Sequence, residues 1–229
     1  MHRRERGQWI HDHLPQRIRL LDVGCFTGTD TATWADRVEH LVGVDLDPAI
    51  FHAAPEIRPI QASAAVLPFR DHAFDVVVFS EVIEHLPADL ERPALEEIHR
   101  VLRVDGVLLL TTPHQGWFAW LDPMDVKRRL GLRPGKGHKH YTVAEIEELF
   151  SGLFTIDTLH LSSLILHPIS TWLGAGNQNR WLRFRSRLSD WDYRHAFGRA
   201  SFNMALVASP LPGLSQETRI GDPSAGTTT

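Results

Sequence analysis

The chain has 229 residues, of which 43% are hydrophobic and 23% are charged, and its formal net charge at pH 7 is -4. This composition is ordinary for a globular protein, and the acidic balance gives no general attraction to nucleic acid. The single cysteine, Cys25, cannot form an internal disulfide bond. Together with a charged N-terminus and no apolar run long enough to span a membrane, this favours a cytoplasmic protein that is neither exported nor integral to a membrane.

The first half of the chain alternates between short apolar runs, bounded by Gly, Pro or Asp, and segments compatible with helices. This alternation is typical of βαβ units and predicts a parallel sheet around one core. The predicted strands are 17–23, 41–46, 57–62, 74–80 and 106–112. A helix is predicted over 89–103, where apolar residues recur at helical spacing with acids early and arginine late.

A connection rich in glycine, proline and histidine follows, over residues 113–141. Long connections often carry function, so we expect this one to form a lid over a site. Thr142 and Glu145 then make the sequence pattern of a capping box, which predicts a helix over 142–150.

The last third of the chain contains two further predicted strands, 153–163 and 200–210. Between them lies a segment rich in aromatic residues and arginine, an insertion over 163–199 that is densest over 170–199. Residues 211–229 hold few apolar residues, which predicts a disordered tail.

The most informative stretch is LLDVGCFTGTDT, residues 20–31, where an apolar strand runs into a turn that contains glycines. Ligands of open α/β sheets bind at the carboxyl ends of the strands, and Gly24 and Gly28 would let a ligand approach the backbone. Asp45 ends the second strand, 23 residues after Asp22. A carboxylate there can accept hydrogen bonds from both hydroxyls of a ribose, so the pattern predicts a ligand that carries a nucleoside.

Two cofactor classes carry such a nucleoside. Nicotinamide dinucleotides use the same crevice, but with a GxGxxG turn that is absent here. Asp22 at the entrance of the turn would repel a pyrophosphate and attract the amino group and sulfonium of S-adenosylmethionine. The electrostatics therefore favour the sulfonium cofactor.

Four segments carry a more specific resemblance: LLDVGCFTG, LVGVDLDP, AAVLPFRDHAFDVVVFSEVIEHL and EIHRVLRVDGVLLLTTP. In this order they resemble the motifs of class I S-adenosylmethionine-dependent methyltransferases, and most of all the small-molecule subgroup called type 11. The resemblance is strong over residues 15–150. It implies an α/β, doubly wound, Rossmann-like fold, with a seven-stranded, mostly parallel sheet whose last strand is antiparallel and lies between the fifth and sixth. One methyltransferase domain is expected over residues 1–210.

The resemblance also implies where S-adenosylmethionine binds. Asp22, Gly24 and Gly28 would hold its amino acid end, Asp45 its ribose, and the segment that begins at Ser80 would pass beneath the sulfonium. The full set of expected cofactor-binding residues is Asp22, Gly24, Cys25, Gly28, Asp45, Leu46, Ser63, Ala64, Ser80 and Glu81.

Two residues depart from the family pattern. Phe26 stands in the middle place of the glycine triplet, and Ser63 replaces the acid that hydrogen-bonds the adenine amino group in the family. These departures predict reduced cofactor affinity, although Ser63 can still offer one hydrogen bond. Two alternatives stay open: a cofactor-binding pseudoenzyme with a regulatory role, and an NAD(P)-dependent oxidoreductase.

Histidines supply the candidate catalytic groups. Methyl transfer needs alignment of donor and acceptor more than acid–base groups, but an alcohol acceptor would benefit from a base. His85 follows the fourth predicted strand and His114 the fifth, so both are expected at the active edge of the sheet. The alternative is that Glu84 and His85 only anchor the following turn.

The acceptor side is expected to include His138, His140 and Tyr141 on the long connection. A metal site built from His114, His138 and His140 has no recurring spacing to support it, so no metal is predicted. The alternative is that these histidines lie in solvent and do not contact an acceptor.

The aromatic and arginine-rich insertion is expected to overhang the acceptor pocket, where aromatic rings can stack on sugars and arginines can bind phosphate. The predicted acceptor is an oxygen on a small metabolite, a glycan or a lipid-linked precursor, with peripheral membrane contact. The alternative is a helix that packs its aromatic residues onto the core with its arginines solvated. Nucleic acid is the less favoured partner because the net charge is acidic.

Overall fold

The computed structural model describes residues 3–47, 54–117, 119, 130–131, 139–162 and 201–212. Within these ranges seven strands form one sheet, and three α-helices pack against it. The strands are β1 (Ile18–Val23), β2 (Val38–Asp45), β3 (Arg58–Gln61), β4 (Phe74–Ser80), β5 (Leu102–Pro113), β6 (Phe154–Ser162) and β7 (Asn203–Pro210). The helices are α1 (Arg3–His13), α2 (Ala88–Val101) and α3 (Val143–Phe150).

The strand order in the sheet is β3-β2-β1-β4-β5-β7-β6. The pairs among β1 to β5 are parallel, and β7 is antiparallel to both β5 and β6. The predicted fold class is therefore confirmed. Because the chain returns from β3 to place β4 on the other side of β1, a crevice forms between the carboxyl ends of β1 and β4, where such folds bind ligands.

Both faces of the sheet are buried, which explains why the central strands are continuously apolar. Leu20 and Leu21 are adjacent in β1, yet they belong to two different core clusters. One cluster joins the sheet to α2 and α3, and the other joins it to α1 through Trp9 and Ile10. The strands thus form a rigid base for the loops at their carboxyl ends.

Helix α1 is absent from the sequence prediction. Its sequence, RRERGQWIHDH, is highly charged, and among its described side chains Trp9 and Ile10 are the buried apolar ones. The Trp34 indole N–H donates to the Gly7 carbonyl at 3.1 Å. Tertiary contacts of this kind stabilise helices whose own periodicity is weak.

The other elements agree with the prediction, with shifts at their ends. The predicted capping box of α3 is present, because the Glu145 N–H donates to Thr142 Oγ1 and the Thr142 N–H donates to the Glu145 carboxylate. A short 3-10 helix, Thr31–Arg37, follows the glycine turn. Strand β5 begins at Leu102, directly after α2, rather than at residue 106.

Most of the predicted lid over 113–141 lies outside the described residues. The insertion over 163–199 lies wholly outside them, and of the predicted tail only residues 211–212 are described. Those predictions stay predictions. Among the described residues, none of the helices is both long enough and apolar enough to cross a membrane.

Candidate active site

The turn after β1 is tightly packed. Gly24 and Gly28 have φ angles of 81° and 66°, in the left-handed region that glycine adopts without strain. The Gly24 N–H donates to the Val44 carbonyl at 2.7 Å, which ties the turn to β2. A Cβ atom on Gly24 would collide with the side chain of Val82, in the segment that follows β4. The turn therefore lies at the crevice between β1 and β4 with no room for a side chain at Gly24.

Asp22 is buried at the end of β1, just before this turn. Burial raises its pKa to about 7, against the opposing effects of a hydrogen bond from the Thr31 hydroxyl and of the Arg6 charge. At neutral pH the carboxyl is therefore poised between its two protonation states. A cation bound beside it would favour the ionised form.

Asp45 fixes the turn from the end of β2. Its Oδ2 accepts a hydrogen bond from the Phe26 N–H at 2.6 Å, and its Oδ1 accepts one from the Asp47 N–H at 2.9 Å. Each carboxylate oxygen can accept a second hydrogen bond. Asp45 can therefore hold the turn and also accept bonds from two ribose hydroxyls.

Phe26 occupies the glycine position of the family pattern in a left-handed backbone conformation. Its φ angle is 51°, the conformation that a glycine would adopt there, and its side chain is 52% exposed. Phe26 therefore strains the backbone locally, while its N–H donates to Asp45.

Replacing Phe26 with glycine is expected to leave the affinity for an adenosyl ligand within about threefold of wild type and to raise stability by up to about 1 kcal/mol, because it removes left-handed strain. Calorimetric titration and urea unfolding would measure the two effects. Phe26→Ala is the matched control, since it removes the ring and keeps the strained Cβ. A marked loss of affinity in both variants would mean instead that the ring packs against the ligand.

The ends of β2 and β3 bring together the residues expected around adenine. The Ala62 N–H donates to the Asp45 carbonyl at 3.0 Å, which places Ser63 and Ala64 beside the end of β2. Leu46 is 70% exposed there. The Ser63 hydroxyl accepts a hydrogen bond from the Ala65 N–H at 3.3 Å. An exposed apolar side chain and a hydroxyl are thus available to a flat base.

Cys25 has a different environment. Its side chain lies over Gly43 of β2, so that a Cβ atom on Gly43 would come within 2.6 Å of the sulfur. Burial raises the pKa of the thiol. The side chain therefore packs the turn against β2, and cofactor contact by Cys25 stays a prediction.

A chain of hydroxyl groups ends β4 and β5. The Ser80 and Thr111 hydroxyls are 2.8 Å apart, and Thr111 donates to Glu81 Oε1 at 3.0 Å. Ser80 is therefore the donor to Thr111. Glu81 has a φ angle of 57°, a strained conformation of the kind that clusters at functional sites.

Arg6 and Glu84 also lie at the site, although the sequence pattern predicts a cofactor or catalytic role for neither. The Arg6 guanidinium lies 3.1 Å from Asp30 Oδ2 and 3.7 Å from Glu81 Oε2. Glu84 is buried and accepts a hydrogen bond from the Thr112 hydroxyl at 3.1 Å, and burial together with the Glu81 charge raises its pKa to about 8. Arg6 was missed because α1 was missed, and the burial of Glu84 has no signal in the sequence.

The two candidate catalytic histidines have contrasting environments. His85 is exposed on the short 3-10 turn Ile83–His85 after β4. His114 is buried after β5, and its Nδ1 lies 2.9 Å from the Ser201 carbonyl. Burial lowers the His114 pKa. Since a carbonyl can only accept, Nδ1 carries the proton and Nε2 keeps a lone pair.

The residues expected on the acceptor side are only partly brought together. Tyr141 is fully buried in the core, and its hydroxyl donates to the Ile83 carbonyl at 3.1 Å. This contact gives Tyr141 a packing role at the turn that carries His85, and acceptor contact by Tyr141 stays a prediction. His140 precedes it, partly exposed, and His138 lies outside the described residues. In the ranges that the structure describes, no three His, Cys, Asp or Glu residues are grouped so as to hold a metal ion.

Comparison with known proteins shows which family part of this chain resembles. Residues 21–110 match the family model described as a methyltransferase domain. The chain is 36% identical over 121 residues to a probable S-adenosylmethionine-dependent methyltransferase of Mycobacterium tuberculosis, covering 50% of this chain and 43% of the relative. It is 31% identical over 173 residues to malonyl-[acyl-carrier protein] O-methyltransferase 1 of Coxiella burnetii, covering 69% of this chain and 57% of the relative. The chain thus spans about half the length of these curated relatives.

A solved structure shares the fold. It is the 1,6-didemethyltoxoflavin-N1-methyltransferase of Burkholderia thailandensis, with bound 1,6-didemethyltoxoflavin and S-adenosylhomocysteine. The two chains are 17% identical with a TM-score of 0.58, and the match covers 92% of this chain and 78% of the other. The resemblance to class I methyltransferases that the four sequence motifs carry is confirmed by these comparisons.

Proposed function

We propose that the chain transfers a methyl group from S-adenosylmethionine to a small acceptor at the carboxyl ends of β1, β2, β4 and β5, because residues 21–110 match a methyltransferase domain. The observation that carries the proposal is the convergence of Asp22, Gly24 and Asp45 on one turn. A buried carboxyl, a backbone with no room for a side chain and a ribose acceptor fit the three parts of this cofactor.

Each of the proposed residues would contact a different part of the cofactor. When bound, S-adenosylmethionine supplies an electrophilic methyl group on a sulfonium. Asp22 would pair with its amino group, Asp45 would hold the ribose, and Leu46 with Ser63 would flank the adenine. The carboxylate of Glu81 would add negative potential near the positive sulfur.

The acceptor is proposed to be an oxygen on a small metabolite, a glycan or a lipid-linked precursor. The Coxiella burnetii relative is named as an O-methyltransferase, which supports oxygen as the acceptor atom. His114 is the better candidate base, because its Nε2 keeps a lone pair at neutral pH, and His85 is the exposed alternative. Strand β6 ends and β7 begins at the same sheet edge as the crevice, which supports an acceptor-side position for the insertion between them.

The two rival functions have less support. A pseudoenzyme was suggested by Phe26 and Ser63, but Phe26 has the left-handed φ angle that a glycine can adopt, and Ser63 keeps a hydroxyl at the end of β3. A nicotinamide cofactor would bring a pyrophosphate close to Asp22, which Asp30 and Asp45 already surround with negative charge.

Calorimetric titration with S-adenosylmethionine, S-adenosylhomocysteine and NADH tests the proposal. Micromolar binding of both adenosyl ligands and no binding of NADH is the expected result. Binding of NADH alone would overturn the proposal in favour of an oxidoreductase, and binding of none would favour a protein without a cofactor.

Asp45→Ala is expected to weaken binding of S-adenosylhomocysteine by about 1.5–3 kcal/mol, because it removes a charged hydrogen-bond acceptor. Asp47→Ala is the matched control, since it removes a neighbouring charge and keeps the backbone N–H that Asp45 binds. To separate ribose contact from loosening of the turn, 5′-methylthioadenosine and its 2′-deoxy analogue should be compared. Unchanged discrimination between the two in Asp45→Ala would refute the ribose contact.

A further inference from the structure

We propose that Arg100 is a positioning residue for the cofactor: from α2 it holds the loop over residues 62–71 in the shape that recognises adenine. This inference rests on the proposed function, because that loop carries Ser63 and Ala64. Arg100 stands within the motif EIHRVLRVDGVLLLTTP, but the resemblance carried by that motif assigned it no role.

All five N–H donors of the Arg100 guanidinium are used. Two of them reach loop carbonyls, Leu67 at 3.0 Å and Phe69 at 2.7 Å, and one reaches the Asp71 carboxylate at 2.8 Å. The remaining two bind both oxygens of Glu97, one turn earlier on α2, at 2.8 Å each. A planar fork with every donor occupied fixes the direction of each carbonyl that it binds.

Glu97 completes this clamp, which consists of Arg100 and Glu97. Its Oε2 also accepts a hydrogen bond from the Leu67 N–H at 2.8 Å, so both backbone groups of Leu67 are bound by α2. The guanidinium holds the pKa of Glu97 below its usual range, so the pair stays charged at neutral pH. Because α2 is part of the core, the clamp transfers the rigidity of the core to the loop.

The loop is held at its other end by the sheet. The Ala62 N–H donates to the Asp45 carbonyl at 3.0 Å, and Ser63 pairs with Val66 in an isolated bridge. Residues 63–66 therefore span the gap between the end of β2 and the clamp. Loss of the clamp would free one of the two ends that determine where the Ser63 hydroxyl lies.

The test compares binding of S-adenosylhomocysteine and S-inosylhomocysteine, which differ at the amino group of the base. Wild type is expected to prefer the adenosyl compound. Arg100→Gln is expected to weaken its binding about tenfold and to bring the ratio of the two affinities close to one, and Arg100→Lys to recover part of the ratio at most, because Lys has three donors and no fork. A merely structural role would weaken both ligands equally.

Arg92→Gln is the matched control. Arg92 also lies on α2 and also binds two carbonyls at 2.8 Å, those of Leu149 and Ser151, on the side of α3. The Arg92→Gln variant is expected to keep the wild-type ratio of the two affinities even if it is less stable than wild type. An unchanged ratio in Arg100→Gln, or an equal change in Arg92→Gln, would overturn the proposal.

Hydrogen exchange of the amides of residues 62–71 gives a readout that needs no ligand. Protection there is expected to fall in Arg100→Gln and to stay unchanged in Arg92→Gln. If wild type binds neither compound, the proposed function fails, and the exchange experiment still decides whether the clamp holds the loop. Unchanged exchange in Arg100→Gln would overturn the clamp itself.

Discussion

Asp22→Asn is expected to weaken binding of S-adenosylmethionine by roughly 10- to 100-fold at pH 8, because it removes the charge that we propose pairs with the amino group of the cofactor. The substitution is nearly isosteric, and an amide oxygen can still accept the hydrogen bond from the Thr31 hydroxyl. The loss of affinity should therefore reflect charge rather than a change of shape. Calorimetric titration over pH 6 to 8.5 would measure it.

The affinity for the cofactor is expected to depend on pH through the ionisation of Asp22. Burial raises the pKa of Asp22 from an ordinary 3.8 to about 7, so the carboxyl takes up a proton as the pH falls through 7. Wild-type affinity is expected to reach a plateau above pH 7 and to fall below it by about tenfold for each pH unit, until it reaches the affinity of Asp22→Asn. Asp22→Asn should show no such step.

Stability should change in the opposite direction. Because the pKa of Asp22 is higher in the folded than in the unfolded state, the free protein loses stability as the pH rises from about 4 to about 7. Free Asp22→Asn should therefore be more stable than wild type at pH 8, while it binds the cofactor more weakly. Glu39→Gln, an exposed acid at the amino end of β2, is the charge-matched control. A pH step that persists in Asp22→Asn would show that another group controls binding.

Gly24→Ala is expected to destabilise the protein by about 2–5 kcal/mol. The φ angle of 81° costs about 1–2 kcal/mol for a residue with a Cβ atom. The new methyl group would also collide with Val82, and overpacking of this kind costs about 1–3 kcal/mol. Urea unfolding would measure the loss, and adenosyl ligand binding should be lost with it because the crevice between β1 and β4 is distorted.

A double-mutant cycle separates the two causes. Val82→Ala removes the side chain that meets the new Cβ atom but leaves the φ angle unchanged. The double variant Gly24→Ala/Val82→Ala is therefore expected to be at least 1 kcal/mol more stable than the sum of the single effects implies. Strict additivity would mean that the turn moves away from Val82 and that only backbone strain matters.

The sequence by itself determined where the cofactor-binding residues lie, because local patterns mark the strands and the turn that carry them. Continuous apolar runs mark strands that are buried on both faces, and carboxyl ends of parallel strands meet at one edge, so Asp22, Gly24 and Asp45 could be placed together before their contacts were known. The Thr142 capping box was predictable for the same reason, since donor and acceptor are three residues apart.

Tertiary structure alone decided the remaining features, because they depend on contacts between distant segments. Helix α1 has little periodicity of its own, and only its packing on the sheet brings Arg6 to Asp30 and Glu81. The raised pKa values of Asp22 and Glu84 come from burial, which no local pattern reports. The clamp of Arg100 joins residues about thirty positions apart in sequence. The sequence by itself determined the kind of cofactor, whereas the packing of the fold decided the charges and the supports around it.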